Sequence, residues 1–326
     1  MFLRFHSTSS LFALCLLGAL LPATTGAQTY LTQWGTPGSG HGQFDHPWGV
    51  ATDPSGNVFV VDGFNSRIQK FTGTGTYLAQ WGSLGSGDGQ FDNPYGVATD
   101  AAGNVLVADL ANHRIQKFTG AGVYLTQWGT FGSGDGQFND PYGVATDAAG
   151  NVYVADLNNH RIQKFTAAGA YLTQWGVPGS GDGQFLFPSQ VAVDAAGNVY
   201  VTDTSNHRVQ KFTGTGTYLT QWGSAGSADG QFLVPYGVAA DAAGNIYVAD
   251  SHNHRIEEFT STGTYLAQWG SLGSGDGQFV YPFGIATGVG GSIYVADTNN
   301  SRIQVFGSAP SPATSTSWGH LKSLCR

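Results

Sequence analysis

Four histidines, His113, His160, His207 and His254, recur at intervals of 47 residues, and imidazoles repeated this regularly raise the question of a metal centre. Zinc-bound nitrogens lie about 2.0–2.1 Å from the ion, hence roughly 3.4 Å from one another. If six equivalent units surround an axis, neighbouring copies of a residue are separated by a chord equal to their distance from that axis. Only side chains almost on the axis could then share an ion, so these four histidines are expected to be structural. His41, His46 and His252 break the repeat. His46 and His252 can be placed on one face, and as a zinc or calcium site they support an alternative reading of the chain as a metal-dependent lyase or hydrolase. Six carboxylate–guanidinium pairs, Asp62 with Arg67 through Asp297 with Arg302, also recur at fixed spacing. A charge-assisted hydrogen bond across a turn explains them without catalysis.

Two further patterns suggest chemistry and are better explained by structure. Gly85-x-Gly87-x-Gly89 and its copies resemble a phosphate-cradling loop, but the extended Pro94-Tyr-Gly-Val that follows is not the helix N-terminus such a loop requires. The loop aspartates Asp88, Asp135, Asp182, Asp229 and Asp276 bring one carboxylate each, where tight calcium binding needs several oxygens. Ser189 lacks the Gly-x-Ser-x-Gly surroundings of an activated nucleophile. No catalytic residue is assigned.

The elements that must position these residues follow from the period. The tyrosine of a Tyr-Leu-x-Gln-Trp-Gly motif stands at 30, 77, 124, 171, 218 and 265, and the fifteen residues from Tyr77 to Phe91 return unaltered from Tyr265 to Phe279. Repeats of this length signal solenoids, propellers or arrays. Within residues 94–129 four short runs, GVATD, NVLVAD, RIQKF and YLTQWG, carry β-branched and aromatic residues and are bounded by Gly, Asn and Asp turn chemistry. No sustained 3.6-residue period is present. The chain is therefore expected to be all-β, a six-bladed propeller of four-stranded antiparallel blades, since only a closed ring buries both faces of each blade. The first unit opens with an outer-strand sequence and the last runs out after its third strand. Residues 30–35 are expected to complete the blade of residues 282–306, with Trp34 beside Phe306.

Composition sets outer limits. Residues 1–27 read as a secretory signal, with Arg4, an apolar core from Leu11 to Leu21 and a small-residue cleavage site at Thr25-Gly26-Ala27. Residues 28–306 form the propeller, and 307–326 a Pro/Ser/Thr linker and tail ending in Trp318–Arg326. The net charge of -8 disfavours nucleic acid as a partner. Cys15 would leave with the signal, and Cys325 would then have no partner in the chain. A secreted or extracytoplasmic monomer is the expectation, at the cell surface or in a periplasm.

The block GSGDGQFxxPxGVATDxxGNVYVADxxNHRIQKF resembles the NHL repeat over residues 30–306, most specifically in the Asp-x-x-Asn-His-Arg-Ile string of Asp109–Ile115 and Asp156–Ile162. Serine replaces the histidine at Ser66 and Ser301. The resemblance implies a six-bladed propeller and constrains activity less. Relatives include RNA-binding domains, an amidating lyase and extracytoplasmic proteins without assigned roles. None of that lyase's metal or catalytic residues can be matched here.

Information about function should lie where the copies disagree. Trp48, Tyr95, Tyr142, Ser189, Tyr236 and Phe283 follow the proline of each unit, with Gln190 replacing the usual glycine after Ser189. The turn between second and third strands varies too, contributing Phe64, Asn158 and His252. Together they are expected to line one mouth of the central channel, as a site for a protein, peptide or glycan or as plugs packing between blades. The leading expectation is a non-catalytic binding scaffold without a cofactor.

Overall fold

The computed structural model describes residues 28–307. The secretory segment expected at 1–27 and the tail beyond Gly307 lie outside the described residues. Six four-stranded antiparallel sheets follow one another around an axis. The first blade consists of strands Pro47–Thr52, Val58–Asp62, Arg67–Phe71 and Tyr77–Trp81, and each later blade repeats that order 47 residues on, save for the outer strand of the last. First strands of successive blades touch one another all the way round, including the last against the first. The tight hairpins between first and second strands rest on aspartates such as Asp53, whose Oδ1 accepts the N–H groups of Ser55 and Asn57.

The ring is closed by the chain's own beginning. Thr29–Trp34 forms the outer strand of the last blade, beside Arg302–Gly307. The register corrects one expectation: Tyr30, not Trp34, lies opposite Phe306, with ring centroids 6.1 Å apart, and Trp34 lies opposite Ile303. Antiparallel pairing sets the first residues of one strand against the last of the other, so the motif's tyrosine meets the phenylalanine. Trp34 instead packs across the seam on Phe71 of the first blade.

Burial explains the alternation within each blade. Both faces of the middle strands are covered, as in Val58–Asp62, where all five residues are buried. Six hydrophobic clusters result, each spanning a boundary between neighbouring blades. A buried phenylalanine such as Phe44 or Phe71 contributes about 2–3 kcal/mol on transfer from water.

The repeated Asp, Asn, Arg and Gln build one clamp per blade. Arg67 Nε donates to Asp62 Oδ2 at 2.7 Å, and its remaining N–H groups reach the carbonyls of Ser39, Gly40 and Gln43 and the Gln80 side chain. Gln69 adds bonds to the Gln43 carbonyl and to Asp62. The clamp pins the glycine-rich loop arriving from the preceding blade, and the same Arg–Asp bond occurs in all six blades. The four histidines are structural as expected. His207, itself left-handed at φ 54°, accepts the Val234 N–H on Nδ1 at 3.0 Å, and His113, His160 and His254 bond likewise.

Candidate functional site

Each first strand begins at a proline, and in five of the six blades the residue after it lines one mouth of the channel. These five are aromatic and pack on one another. Trp48 stacks on Tyr95 at 4.8 Å and meets Phe283 at 4.8 Å; Tyr95 meets Tyr142 at 4.2 Å, and Tyr236 stacks on Phe283 at 4.1 Å. They leave a space of about 20 Å³, room for one water molecule. The aromatics thus form a plug. Burial, with Tyr95 and Tyr236 close by, pushes the Tyr142 hydroxyl well above its usual range.

The glycine after each aromatic is required by close approach. A Cβ on Gly96 would lie 2.4 Å from the Tyr142 carbonyl oxygen, and one on Gly237 2.2 Å from that of Phe283. The fourth blade solves this contact differently. Ser189 is fully buried and turned away from the mouth, with its Oγ 2.6 Å from Thr204 Oγ1 and 3.0 Å from Thr202 Oγ1. Both Ser189 and Thr202 donate to the Tyr236 carbonyl. Gln190 therefore takes the place at the plug, and Tyr142 and Tyr236 stack across the gap at 6.1 Å. Thr202 was not singled out from the sequence, although it stands where the other blades have alanine or valine.

Around the plug runs a rim made by two loops, joined in every blade by backbone hydrogen bonds such as Phe64 N–H to Asp45 and Ser205 N–H to Leu186. Phe64 is 58 % exposed, against His46 at 4.4 Å, and His46 Nδ1 lies 2.7 Å from Asp45 Oδ1. Asn158 donates to Asp140 at 2.6 Å. On the far side His252 and His254 flank Tyr281, and burial pushes both imidazoles below their usual range, toward the neutral form. His46 and His252 thus belong to separate aromatic groups on different blades. Among the described residues no group of three His, Cys, Asp or Glu is arranged to hold a metal ion.

The rim also contains the pair just before each proline, of which only His46 stood out in the sequence. In the first three blades this pair is Asp45-His46, Asp92-Asn93 and Asn139-Asp140; in the last three it is Leu186-Phe187, Leu233-Val234 and Val280-Tyr281. One half of the face is polar and acidic, and the other is apolar, with Phe187 42 % and Leu233 39 % exposed. The second member of each pair is left-handed, including Phe187 at φ 53°, Val234 at φ 53° and Tyr281 at φ 52°. Asn and Asp accept that conformation readily, whereas a β-branched valine is strained in it. The opposite mouth is open, with a cup of about 400 Å³ edged by the first hairpins, among them Asp53, Thr99 and Asp147.

A closed ring of six four-stranded blades with one plugged mouth defines the class as a six-bladed propeller. The sequence profile of the NHL repeat matches residues 44–71, 91–118, 138–165, 185–212, 232–259 and 279–306, just over half of the chain, which therefore belongs to the NHL-repeat family. No curated protein sequence matches it. Solved structures agree on the fold. A streptogramin B lyase superposes with a TM-score of 0.60 at 16 % identity, covering 86 % of this chain and 98 % of its own. A gluconolactonase of Xanthomonas campestris gives 0.61 at 14 % identity, covering 82 % and 87 %. A nidogen/laminin complex gives 0.56 at 16 % identity, covering 79 % and 88 %. Identities this low carry the fold, not the activity.

Proposed function

We propose that this chain is an exported, non-catalytic propeller that binds a protein or peptide on its plugged face. The observation that carries the reading is the division of the rim. Apolar side chains are held at positive φ in the last three blades, exposed at Phe187 and half-buried at Val234 and Tyr281, where the first three place His46, Asn93 and Asp140. Strain retained at surface positions points to a use for those side chains. A flat face over an aromatic plug offers no depth for a small substrate and suits a macromolecular surface. A peptide with an apolar stretch next to basic or hydrogen-bonding groups fits both halves, which favours a peptide over a glycan. The ring orders its side chains on folding, so binding costs little further entropy.

The export reading rests on residues 1–27, and no helix among the described residues is long and apolar enough to cross a membrane. Nucleic acid is disfavoured by the acidic balance. A peptide and glycan array probed with the purified protein tests the proposal. Peptide hits lost in the double variant Phe187→Glu and Leu233→Glu, with folding intact, are the expected result. Hits indifferent to that variant, or stoichiometric zinc or calcium retained through dialysis, would overturn it, the metal favouring the lyase or hydrolase alternative.

A further inference from the structure

In four blades the third strand carries a lysine that reaches into the next blade. Lys70, Lys117, Lys164 and Lys211 donate to the carbonyls of Gly120, Ala167, Gly214 and Ser261 at 2.9–3.1 Å, each the start of a turn joining third and fourth strands. The fifth blade inverts the charge, with Glu258 at the lysine's position. Its neighbour is also the one blade built without that turn. The sixth blade's third strand ends at Gly307, and its fourth strand is Thr29–Trp34, so Gln28 comes in where the other blades have a continuous hairpin.

Glu258 is fully buried. Its Oε1 accepts from the Tyr247 hydroxyl at 3.3 Å, and the Gln28 side chain lies close enough to ease the charge on its carboxyl. Its Oε2 and the Oε1 of Gln28 are buried without a hydrogen-bond partner among the described residues. A carboxylate withdrawn from water with one oxygen unmet is costly unless a cation completes it. Within the described residues Lys211, the nearest counterpart in the repeat, is engaged with its own carbonyl.

We propose that the chain is cut between Ala27 and Gln28 and that the α-ammonium released on Gln28 is the cation that pairs with Glu258, sealing the ring. Water adds across the Ala27–Gln28 peptide bond under a peptidase. The hydroxyl goes to the Ala27 carbonyl carbon and the C–N bond breaks. The Ala27 carboxyl ionises, and the Gln28 nitrogen becomes an ammonium. The lysine-to-carbonyl bond of four blades is thereby replaced by a carboxylate-to-ammonium bond with the charged partner moved to the other side. The small residues Thr25-Gly26-Ala27 suit such a cut. An uncut chain has an amide at that nitrogen, with no charge for Glu258.

This inference rests on the export reading, and its chemistry gives an independent signal. A free N-terminal glutamine cyclises with loss of ammonia when its amine is neutral and nucleophilic, and pairing with Glu258 keeps the amine protonated. The full chain is expressed in an exporting host, and the mature protein is analysed by intact mass and N-terminal sequencing. The expected result is a chain starting at an uncyclised Gln28, whose amine titrates above the ordinary range of about 7.7–8.0. Glu258→Gln should cyclise at least tenfold faster. Retaining Ala27 on the mature chain should lower the unfolding midpoint of the parent and leave that of Glu258→Gln unchanged. A mature start elsewhere, equal cyclisation rates, or equal sensitivity to the added alanine would overturn the latch. If the protein is exported and binds its peptide but starts elsewhere, only the latch falls; if it is never exported, the functional reading falls with it.

Discussion

Thr202 donates a 2.7 Å hydrogen bond to the carbonyl of Tyr236, across the boundary between the fourth and fifth blades. The same hydroxyl accepts the Gln190 N–H at 2.9 Å. Thr202→Val keeps the volume and removes both bonds, leaving a buried backbone donor unmet. A loss of about 2 kcal/mol is expected, read from urea unfolding midpoints. An unchanged midpoint would mean that the hydroxyls of Ser189, Thr202 and Thr204 contribute nothing that alanine does not contribute elsewhere.

The clamp makes arginine irreplaceable by lysine. Arg161 bonds Asp156, the carbonyls of Ser133, Gly134 and Gln137, and the Gln174 side chain, all at 2.6–2.9 Å. A lysine offers three donors at one point and cannot span that arc. Arg161→Lys should cost about 3 kcal/mol, because a buried Asp156 loses its fork partner. Since the geometry repeats, Arg67→Lys should cost the same within about 0.5 kcal/mol.

Much of this architecture could be read in the sequence because it is repeated. The interval of 47 residues, the turn residues and the six Asp–Arg pairs each specify one unit, and the displaced outer strand specified closure. The face was less legible. Trp48 and Tyr95 read equally as lining or as plug, since residue type does not reveal that five rings meet across the axis. Ser189 drew notice as a missing aromatic, but its inward turn depends on Thr202 and Thr204, distant in sequence. The rim pairs, from Asp45-His46 to Val280-Tyr281, were hidden apart from His46, because they sit in a loop whose glycines dominate the pattern. Glu257 and Glu258 replace the Gln-Lys of the first four blades, and only burial and their partners give that change meaning.

Closure by a non-covalent strand predicts unequal responses to one substitution. Tyr30 and Tyr124 occupy equivalent outer-strand positions, opposite Phe306 and Phe118 respectively. Tyr124 is tethered through the turn from Phe118, whereas Tyr30 belongs to a strand held to its blade by packing and hydrogen bonds. Tyr30→Ala should therefore destabilise more than Tyr124→Ala, by about 1 kcal/mol or more, as fraying of the strand exposes both sides of the seam. Limited proteolysis should cut Tyr30→Ala first within residues 28–35. Equal midpoints and equal cleavage would argue that the ring does not depend on its seam.

Glu257 gives the fifth blade a titrating group where the other blades have a glutamine. It replaces a glutamine that elsewhere donates, as Gln210 does to the Gln184 carbonyl at 2.6 Å and to Asp203 at 3.1 Å. Burial pushes the Glu257 carboxyl up from 4.5 to about 8, against the attraction of Arg255 and the Gly230 N–H. Between those two values the folded chain holds a proton that the unfolded chain has released, so stability falls as pH rises through the window and levels off above it. Glu257→Gln restores the donor and carries no charge. At pH 8 it should be more stable than the parent by on the order of 2 kcal/mol, with most of that gain gone near pH 5. Urea midpoints at the two pH values decide it, and a gain that does not depend on pH would place the effect in hydrogen bonding alone, leaving Glu257 ionised in the folded chain.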